Sequence, residues 1–305
     1  CFRLYTKKLP DRILTFIVAE CHARGIELHV WLNPYRAHVN TNRGELASNH
    51  MCNVWPTSQY CYTYSSYLWM DPGAEEVIVH LENVITDILT RYDVDGVHFD
   101  DYFYPYPDQT DFPDDSTWND YVNGGGSMSK GDWRRDNVNR MVQRINNLVH
   151  ATKPGSMFSI SPFGIYRPCH PEGMPCHITG FDPYEGQYAD SKLWLQSAWV
   201  DALIPQIYWH IDSSGQPYDD ILEWWVQQNT ANRHVHGANA AYKMADSNNW
   251  PASELEQQVL VTRQWNDQRC MGNVFYSAKH FRDNIKGITD LFKSGIYNQP
   301  AGIPK

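Results

Sequence analysis

The chain has 305 residues, of which 42% are hydrophobic, and a formal net charge of −10. This length suits one large α/β domain or two small ones, and the negative charge argues against nucleic acid or an anionic membrane as a partner. No run approaches the roughly 18 apolar residues of a membrane span, and no signal peptide is visible at Cys1. Aromatic residues make up 14%, which suits either platforms for sugar rings or extra packing.

Short β-rich runs alternate with amphipathic helical stretches along the chain. Helical stretches are predicted over residues 9–25, 72–92, 130–152 and 218–231, with further segments at 191–200, 253–269 and 282–293. Six strand candidates lie between them, at residues 26–36, 95–105, 157–166, 201–211, 234–244 and 271–281. Such alternation is typical of βαβ units and a parallel sheet.

The strand ends favour a barrel over an open sheet. Polar or aromatic clusters follow nearly every strand, such as "NPYR", "DDYFYP", "QIYWH" and "AAYK". Clusters from many strand ends converge at the top of a barrel, whereas an open sheet concentrates them at one switch point. A closed barrel needs eight strands, so we predict one (β/α)8 TIM-type barrel domain over residues 1–305 that lacks its first two βα units.

Asp100 and Asp101 stand side by side at the end of an apolar strand. Asp is depleted in strands, and burying a carboxylate is costly unless something pairs with it. Because successive side chains alternate, Val97 and Phe99 should face the helices while Asp100 faces the lumen. Asp101 then sits at the rim or caps the following loop. The same alternation predicts a lumen set of Trp31, Asn33, Tyr35, His98, Tyr102, Gln206, Tyr208 and His210.

Seven cysteines are present, and four of them form close pairs in loop sequence. Cys52 with Cys61, and Cys169 with Cys176, are predicted to form disulfides, which favours an extracellular or secreted protein, or a periplasmic one in a bacterium. Neighbouring histidines make a zinc site at the second pair an alternative, although the spacing matches no common zinc module. The odd count leaves a free thiol or a link to another chain, and Cys21 is expected to be a buried free thiol.

Several long motifs, in order, resemble the glycosyl-hydrolase-like family 10: "WLNPYR", "VDGVHFDDYFYP", "DWRRDNVNRMV", "SISPFGIYR", "YADSKLWLQSAWVDALIPQIYW" and "AAYK". The resemblance implies a (β/α)8 barrel and a glycan substrate, since bacterial members include a glycosidase that cuts peptidoglycan strands stripped of their peptides. Family members carry two further βα units before the start of this chain, so a missing segment or a second chain would complete the barrel. The two cysteine pairs look like additions to the family pattern.

Hydrolysis of a glycosidic bond normally needs two carboxyl groups. We expect Asp100 to be the first, with Asp101 as its partner or as an acceptor for a sugar hydroxyl. A second carboxyl could also come from the absent strands or from a loop, with candidates Asp182, Glu185 and Asp212. The predicted supporting residues are Arg36 for a bidentate grip on a carboxylate, Tyr102, Tyr208 and Trp209 for ring stacking, and Asn33 and Lys243 for hydrogen bonds to hydroxyls. "WRRD" at 133–136 suits a helix cap with a surface ion pair as well as a substrate-facing role.

Three classes of function remain open on the sequence. The first is a glycoside hydrolase without a cofactor, and the second is a glycan-binding or structural protein on the same barrel. The third is a metal-dependent hydrolase that uses His98, Asp100 and Asp101, although no second histidine cluster has matching spacing.

Overall fold

The structure of the protein, a computed structural model, describes residues 11–55 and 59–299. The chain forms two compact units, each built from two segments. The first comprises Cys1–Ile160 and Pro183–Trp194, and the second comprises Ser161–Asp182 and Leu195–Lys305. That the whole chain is a single barrel domain stays a prediction.

The first unit contains a parallel sheet, a small antiparallel sheet and helices. Its helices are α1 (Asp11–His22), α2 (Met51–Val54), α3 (Glu75–Arg91), α4 (Asp115–Asn123), α5 (Lys130–Thr152), α6 (Pro183–Gly186) and the start of α7 (Ser191–Gln196). Its strands are β1 (His29–Leu32), β2 (Arg36–His38), β3 (Cys61–Tyr64), β4 (Tyr67–Met70), β5 (Gly96–Phe99) and β6 (Met157–Ile160). The parallel sheet has the order β1-β5-β6, with Trp31 beside His98 and His98 beside Ser159. The antiparallel sheet has the order β2-β4-β3.

Helix α3 shows why these residues fold as they do. Glu75 and Glu76 lie in its first turn and Arg91 in its last, which suits the helix dipole. One apolar stripe of the helix is buried, comprising Val77, Ile78, Leu81, Ile85, Ile88 and Leu89. That spacing of three and four residues is the pattern of a helix packed on a core.

The second unit repeats the alternation with shorter strands. Its strands are β7 (Ala202–Leu203), β8 (His234–Val235), β9 (Gly237–Asn239) and β10 (Asn273–Phe275), and its helices are α8 (Tyr218–Gln227), α9 (Ala252–Arg263), α10 (Ala278–Arg282) and α11 (Ile288–Ser294). β7 pairs with β8 and β9 with β10, both in parallel. A short 3-10 helix, Ala241–Met244, follows β9. Within the described ranges, no helix has the length and apolar character that a membrane crossing requires.

Both predicted disulfides are present, with Cα–Cα distances of 5.4 Å for Cys52–Cys61 and 3.8 Å for Cys169–Cys176. The zinc alternative at the second pair is therefore wrong, because its sulfurs are consumed by the bond. Cys21 is a free thiol, but it is partly exposed rather than buried, whereas Cys270 is free and buried.

The "WRRD" segment forms ion pairs, as its structural interpretation predicted, but one of them is buried. Arg134 is buried and forms a bidentate ion pair with Asp114, at 2.8 Å from Nε and 2.6 Å from Nη2. Arg135 contacts Glu185 at 3.2 Å and Asp132 at 2.7 Å. Arg134 therefore joins α5 to the residue before α4, and Arg135 joins it to α6, and the pair at Arg134 is buried rather than on the surface.

Candidate functional site

Asp100 lies directly after β5 and is only 3% exposed. The side-chain amide of Asn33 donates to both of its carboxyl oxygens, at 3.3 and 3.4 Å. The backbone N–H of Tyr102 and the side chain of Trp31 also hydrogen-bond to the carboxyl group. The predicted neighbours Asn33 and Trp31, at the end of the adjacent strand β1, therefore meet Asp100 as the alternation implied.

The environment of Asp100 favours its protonated form. Its pKa is raised to about 7, chiefly because burial penalises the charged carboxylate, and secondly because Asp101 carries negative charge beside it. The positive charge of Arg36 and the hydrogen bonds oppose this increase in pKa. A carboxyl group with such a pKa can hold a proton near neutral pH, as a general acid must.

Asp101 is buried as well, at 6% exposure, but its carboxyl group has a different partner. The hydroxyl of Tyr106 donates a short hydrogen bond to Oδ2 of Asp101. The backbone carbonyl of Asp101 accepts a hydrogen bond of 2.7 Å from Nε2 of Gln187, whose side chain is 1% exposed. Tyr106 and Gln187 were missed from the sequence: Tyr106 lies beyond the strand, where alternation no longer predicts direction, and a single buried Gln leaves no pattern.

Arg36 lies against an aromatic ring in the described structure. Its guanidinium carbon is 3.8 Å from the centroid of the Tyr102 ring and 5.7 Å from that of Tyr67. Burial and the nearby charge of Asp101 raise the pKa of Tyr102, so this phenol is neutral. Arg36 thus acts on Asp100 through its charge, while its planar face stacks on Tyr102 rather than forming the expected fork on a carboxylate.

Two predicted site residues of the first unit, Tyr35 and His98, have other surroundings than expected. Tyr35 is 0% exposed, so the expectation that it lines a substrate site is wrong. Strand β1 ends at Leu32, and the alternation that placed Tyr35 does not continue through the bend that follows. His98 hydrogen-bonds to Oγ of Ser159 on β6 at 2.9 Å, and desolvation first, then His29, lowers its pKa to about 3. His98 is therefore a neutral side chain that joins two strands.

The predicted residues of the second unit lie on the loop after β7 and the 3-10 helix after β9. Tyr208, Trp209, His210 and Lys243 are partly exposed, whereas Ile207, just before Tyr208, is buried. The side-chain amide of Gln206 donates a hydrogen bond of 2.8 Å to the backbone carbonyl of Ser161. The ammonium of Lys243 donates to the carbonyl of Tyr208 and lies 5.0 Å from the Trp250 ring. Lys243 is therefore engaged in holding the loop.

A buried hydrogen-bond network on α9 holds this loop, and the sequence did not predict it. Glu254, on the first turn of α9, is 5% exposed and pairs with Nε2 of His210 at 2.7 Å. Its other oxygen accepts the N–H of Ile211 at 2.9 Å and the amide of Gln258 at 2.8 Å. Gln258 also donates to the carbonyl of Trp209 at 3.1 Å. The loop that carries the aromatic residues is thus fixed to one helix.

The other candidate carboxylates pair with another residue or belong to the second unit. Glu185 is paired with Arg135, and Asp182 and Asp212 belong to the second unit, where Asp212 donates its backbone N–H to His210 at 3.2 Å. Among residues 11–55 and 59–299, no group of three or more His, Cys, Asp or Glu side chains is arranged to hold a metal ion. The described residues therefore offer no donor set for the metal-dependent alternative.

The strands and the paired carboxylates define an α/β protein with a candidate hydrolytic site at a strand end. The chain belongs to the family Glycosyl hydrolase-like 10, which matches residues 6–253. It is 35% identical over 301 residues to the glycosyl hydrolase YngK of Bacillus subtilis (strain 168), covering 96% of this chain and 58% of that protein. It is 34% identical over 220 residues to the glycosyl hydrolase DigH of Escherichia coli (strain K12), covering 70% of this chain and 50% of that protein.

Among solved structures, the chain is similar to a chitinase, RmChi1 from Rhizomucor miehei. The TM-score is 0.51 at 10% identity, and the match covers 92% of this chain and 86% of that one. This likeness concerns the fold alone, and it confirms the predicted α/β class of TIM type. Closure of the barrel by strands beyond those described stays a prediction.

Proposed function

We propose that this chain is a glycoside hydrolase in which Asp100 donates a proton to the glycosidic oxygen and Asp101 is its ionised partner. The observation that carries the proposal is the pair of adjacent buried carboxyl groups after β5, each held by a different donor: Asn33 for Asp100 and Tyr106 for Asp101. Membership of a glycosyl-hydrolase-like family supports the reaction class.

In the proposed reaction, the carboxyl proton of Asp100 passes to the leaving oxygen as the bond from that oxygen to the anomeric carbon breaks. Water then adds to the anomeric carbon, and the proton that it releases passes to the carboxylate of Asp100, which restores the acid. Positive charge develops on the sugar ring in the transition state, and the negative charge of Asp101 stabilises it. The raised pKa of Asp100, about 7, suits the acid role because the proton is still bound near neutral pH.

The substrate that we propose is a polysaccharide or cell-wall-type glycan. The relatives are named glycosyl hydrolases, and the family resemblance includes an enzyme of denuded peptidoglycan. The two disulfides support a protein that works in an oxidising compartment outside the cytoplasm.

The test is release of reducing ends from peptidoglycan strands freed of peptides, from chitohexaose and from cellohexaose. We expect at least one to be cut, and Asp100→Asn to lower kcat by a factor of a hundred or more, as loss of a general acid does. Asp71→Asn is the matched control, since Asp71 is also a buried carboxyl group but bonds to Gly73 and Thr117. Binding of these glycans without any product over days would instead support the non-catalytic alternative.

A further inference from the structure

Three tyrosines in the second unit form a compact aromatic cluster, which we name the tyrosine triad: Tyr208, Tyr242 and Tyr276. The ring centroids are 6.0 Å apart for Tyr208 and Tyr242, 6.5 Å for Tyr208 and Tyr276, and 6.1 Å for Tyr242 and Tyr276. The planes of Tyr208 and Tyr276 differ by only 23°, whereas Tyr242 stands at 86° and 80° to them. Tyr242 thus presents an edge-on contact to both near-parallel rings, an arrangement that aromatic pairs prefer.

The backbone under the triad is firmly tied. Each tyrosine follows a different strand: Tyr208 comes after β7, Tyr242 after β9 and Tyr276 after β10. The N–H of Tyr242 donates to the carbonyl of Tyr276 at 3.2 Å, and the N–H of Tyr276 donates to the carbonyl of Asn239 at 3.0 Å. Lys243 donates to the carbonyl of Tyr208. These bonds fix the backbone that carries the rings before any ligand arrives, which lowers the entropic cost of binding.

The exposure of the triad points to a ligand with both apolar and hydroxyl surfaces. Tyr276 is 47% exposed, and Tyr208 and Tyr242 are partly exposed, so three large rings meet solvent together. Burial, with the charge of Asp246, raises the pKa of Tyr242, so its hydroxyl stays a neutral donor and acceptor. Tyrosine offers an apolar ring face and a polar tip, which match the C–H face and the hydroxyls of a pyranose.

We propose that the tyrosine triad is a glycan-binding subsite, with Tyr276 as the ring on which a pyranose residue stacks. This inference deepens the proposed function and rests on it for the substrate class. Tyr242 positions the other two rings. Tyr208, whose ring is nearly parallel to that of Tyr276, offers a second aromatic face to the glycan. None of the three acts on the glycosidic bond.

The experiment is isothermal titration calorimetry of the full chain carrying Asp100→Asn, so that no glycan is consumed. The probes are peptidoglycan strands freed of peptides, chitohexaose and cellohexaose. Adding Tyr276→Ala should weaken the Kd of the bound probe by tenfold or more, while Tyr276→Phe, which keeps the ring, should retain most of the affinity. Tyr297→Ala is the matched control, because Tyr297 is 39% exposed, belongs to the same unit and lies outside the triad.

An unchanged Kd in Tyr276→Ala would overturn the inference, and so would an equal loss in Tyr297→Ala or no measurable binding of any probe. Loss of affinity in Tyr276→Phe as great as in Tyr276→Ala would also overturn it, since the hydroxyl rather than the ring would then carry the contact. The catalytic proposal fails separately: Asp100→Asn would then hydrolyse glycan at the wild-type rate, whatever happens to Kd in the tyrosine variants.

Discussion

Asn33 donates its side-chain amide to both carboxyl oxygens of Asp100, at 3.3 and 3.4 Å, while its own oxygen accepts the backbone N–H of Arg36 at 2.7 Å. The second bond fixes the orientation of the amide, because only a carbonyl oxygen can accept that N–H. The NH₂ group therefore has to face Asp100. The carboxyl group is thus held from the neighbouring strand in one position, as proton transfer requires.

The pH dependence of hydrolysis should report Asp100. The pKa of this carboxyl group is raised to about 7, and a general acid must be protonated to work. We expect kcat/KM to fall as the pH increases through about 7, with one basic limb. The measurement is kcat/KM between pH 4 and 9 on whichever glycan is cut. A profile that stays flat to pH 9 would remove the acid role from Asp100.

The free energy of unfolding of Asp100→Asn should exceed that of the wild type at high pH. The folded pKa of about 7 lies above the value of about 3.9 for an unfolded Asp, so the folded state binds the proton more tightly. The free energy of unfolding of the wild type should therefore decrease as pH rises from about 4 to about 7, and then level off. Asn cannot ionise, so we expect the variant to be more stable than the wild type at pH 8 by roughly 1 to 3 kcal/mol. This range is the difference in pKa, converted at about 1.4 kcal/mol per unit, minus the cost of the poorer hydrogen bonds that Asn forms.

Urea unfolding at pH 4.5 and pH 8 would measure this difference. Asp71→Asn is the comparison: the pKa of Asp71 is raised only to about 6, chiefly by burial, so its gain in stability at pH 8 should be smaller. An Asp100→Asn protein that is strongly destabilised at both pH values would show that the carboxylate holds the fold.

Arg36 should tune the reaction rather than the fold. Its positive charge lowers the pKa of Asp100, and its planar group lies 3.8 Å over the Tyr102 ring. Arg36→Met removes the charge, so the basic limb should move to higher pH. Arg36→Lys keeps the charge, so the limb should move little, but loss of the flat stacking face should lower kcat several-fold with little change in melting temperature. Full activity in Arg36→Lys would contradict this assignment.

The sequence predicted those parts of the fold that repeat and missed those that do not. Alternation of helices and strands was sufficient to predict the α/β class. Alternation of side chains along the strand also correctly predicted that Asp100 faces Asn33, because β1 and β5 are regular and in register. Parity failed at Tyr35, just past the end of β1. The antiparallel sheet of β2, β3 and β4 was not predicted, since only Arg36, the first residue of β2, lies in a predicted strand. The partners Tyr106 and Glu254 depend on loop paths that only the folded chain defines.

The hydrogen bond from Nε2 of His210 to Glu254 gives the last prediction, because it tests whether the loop after β7 must be held in place. Glu254 is buried, and its carboxylate joins His210, Ile211 and Gln258. Glu254→Gln should leave one or more of these donors unpaired and lower the free energy of unfolding by about 1 to 3 kcal/mol. If the loop presents Tyr208 to the glycan, KM should rise several-fold while kcat changes little. Glu256→Gln on the same helix is the control, since Glu256 lies outside the network. A fall in kcat with constant KM for Glu254→Gln would contradict the prediction, because Glu254 would then act in the catalytic step.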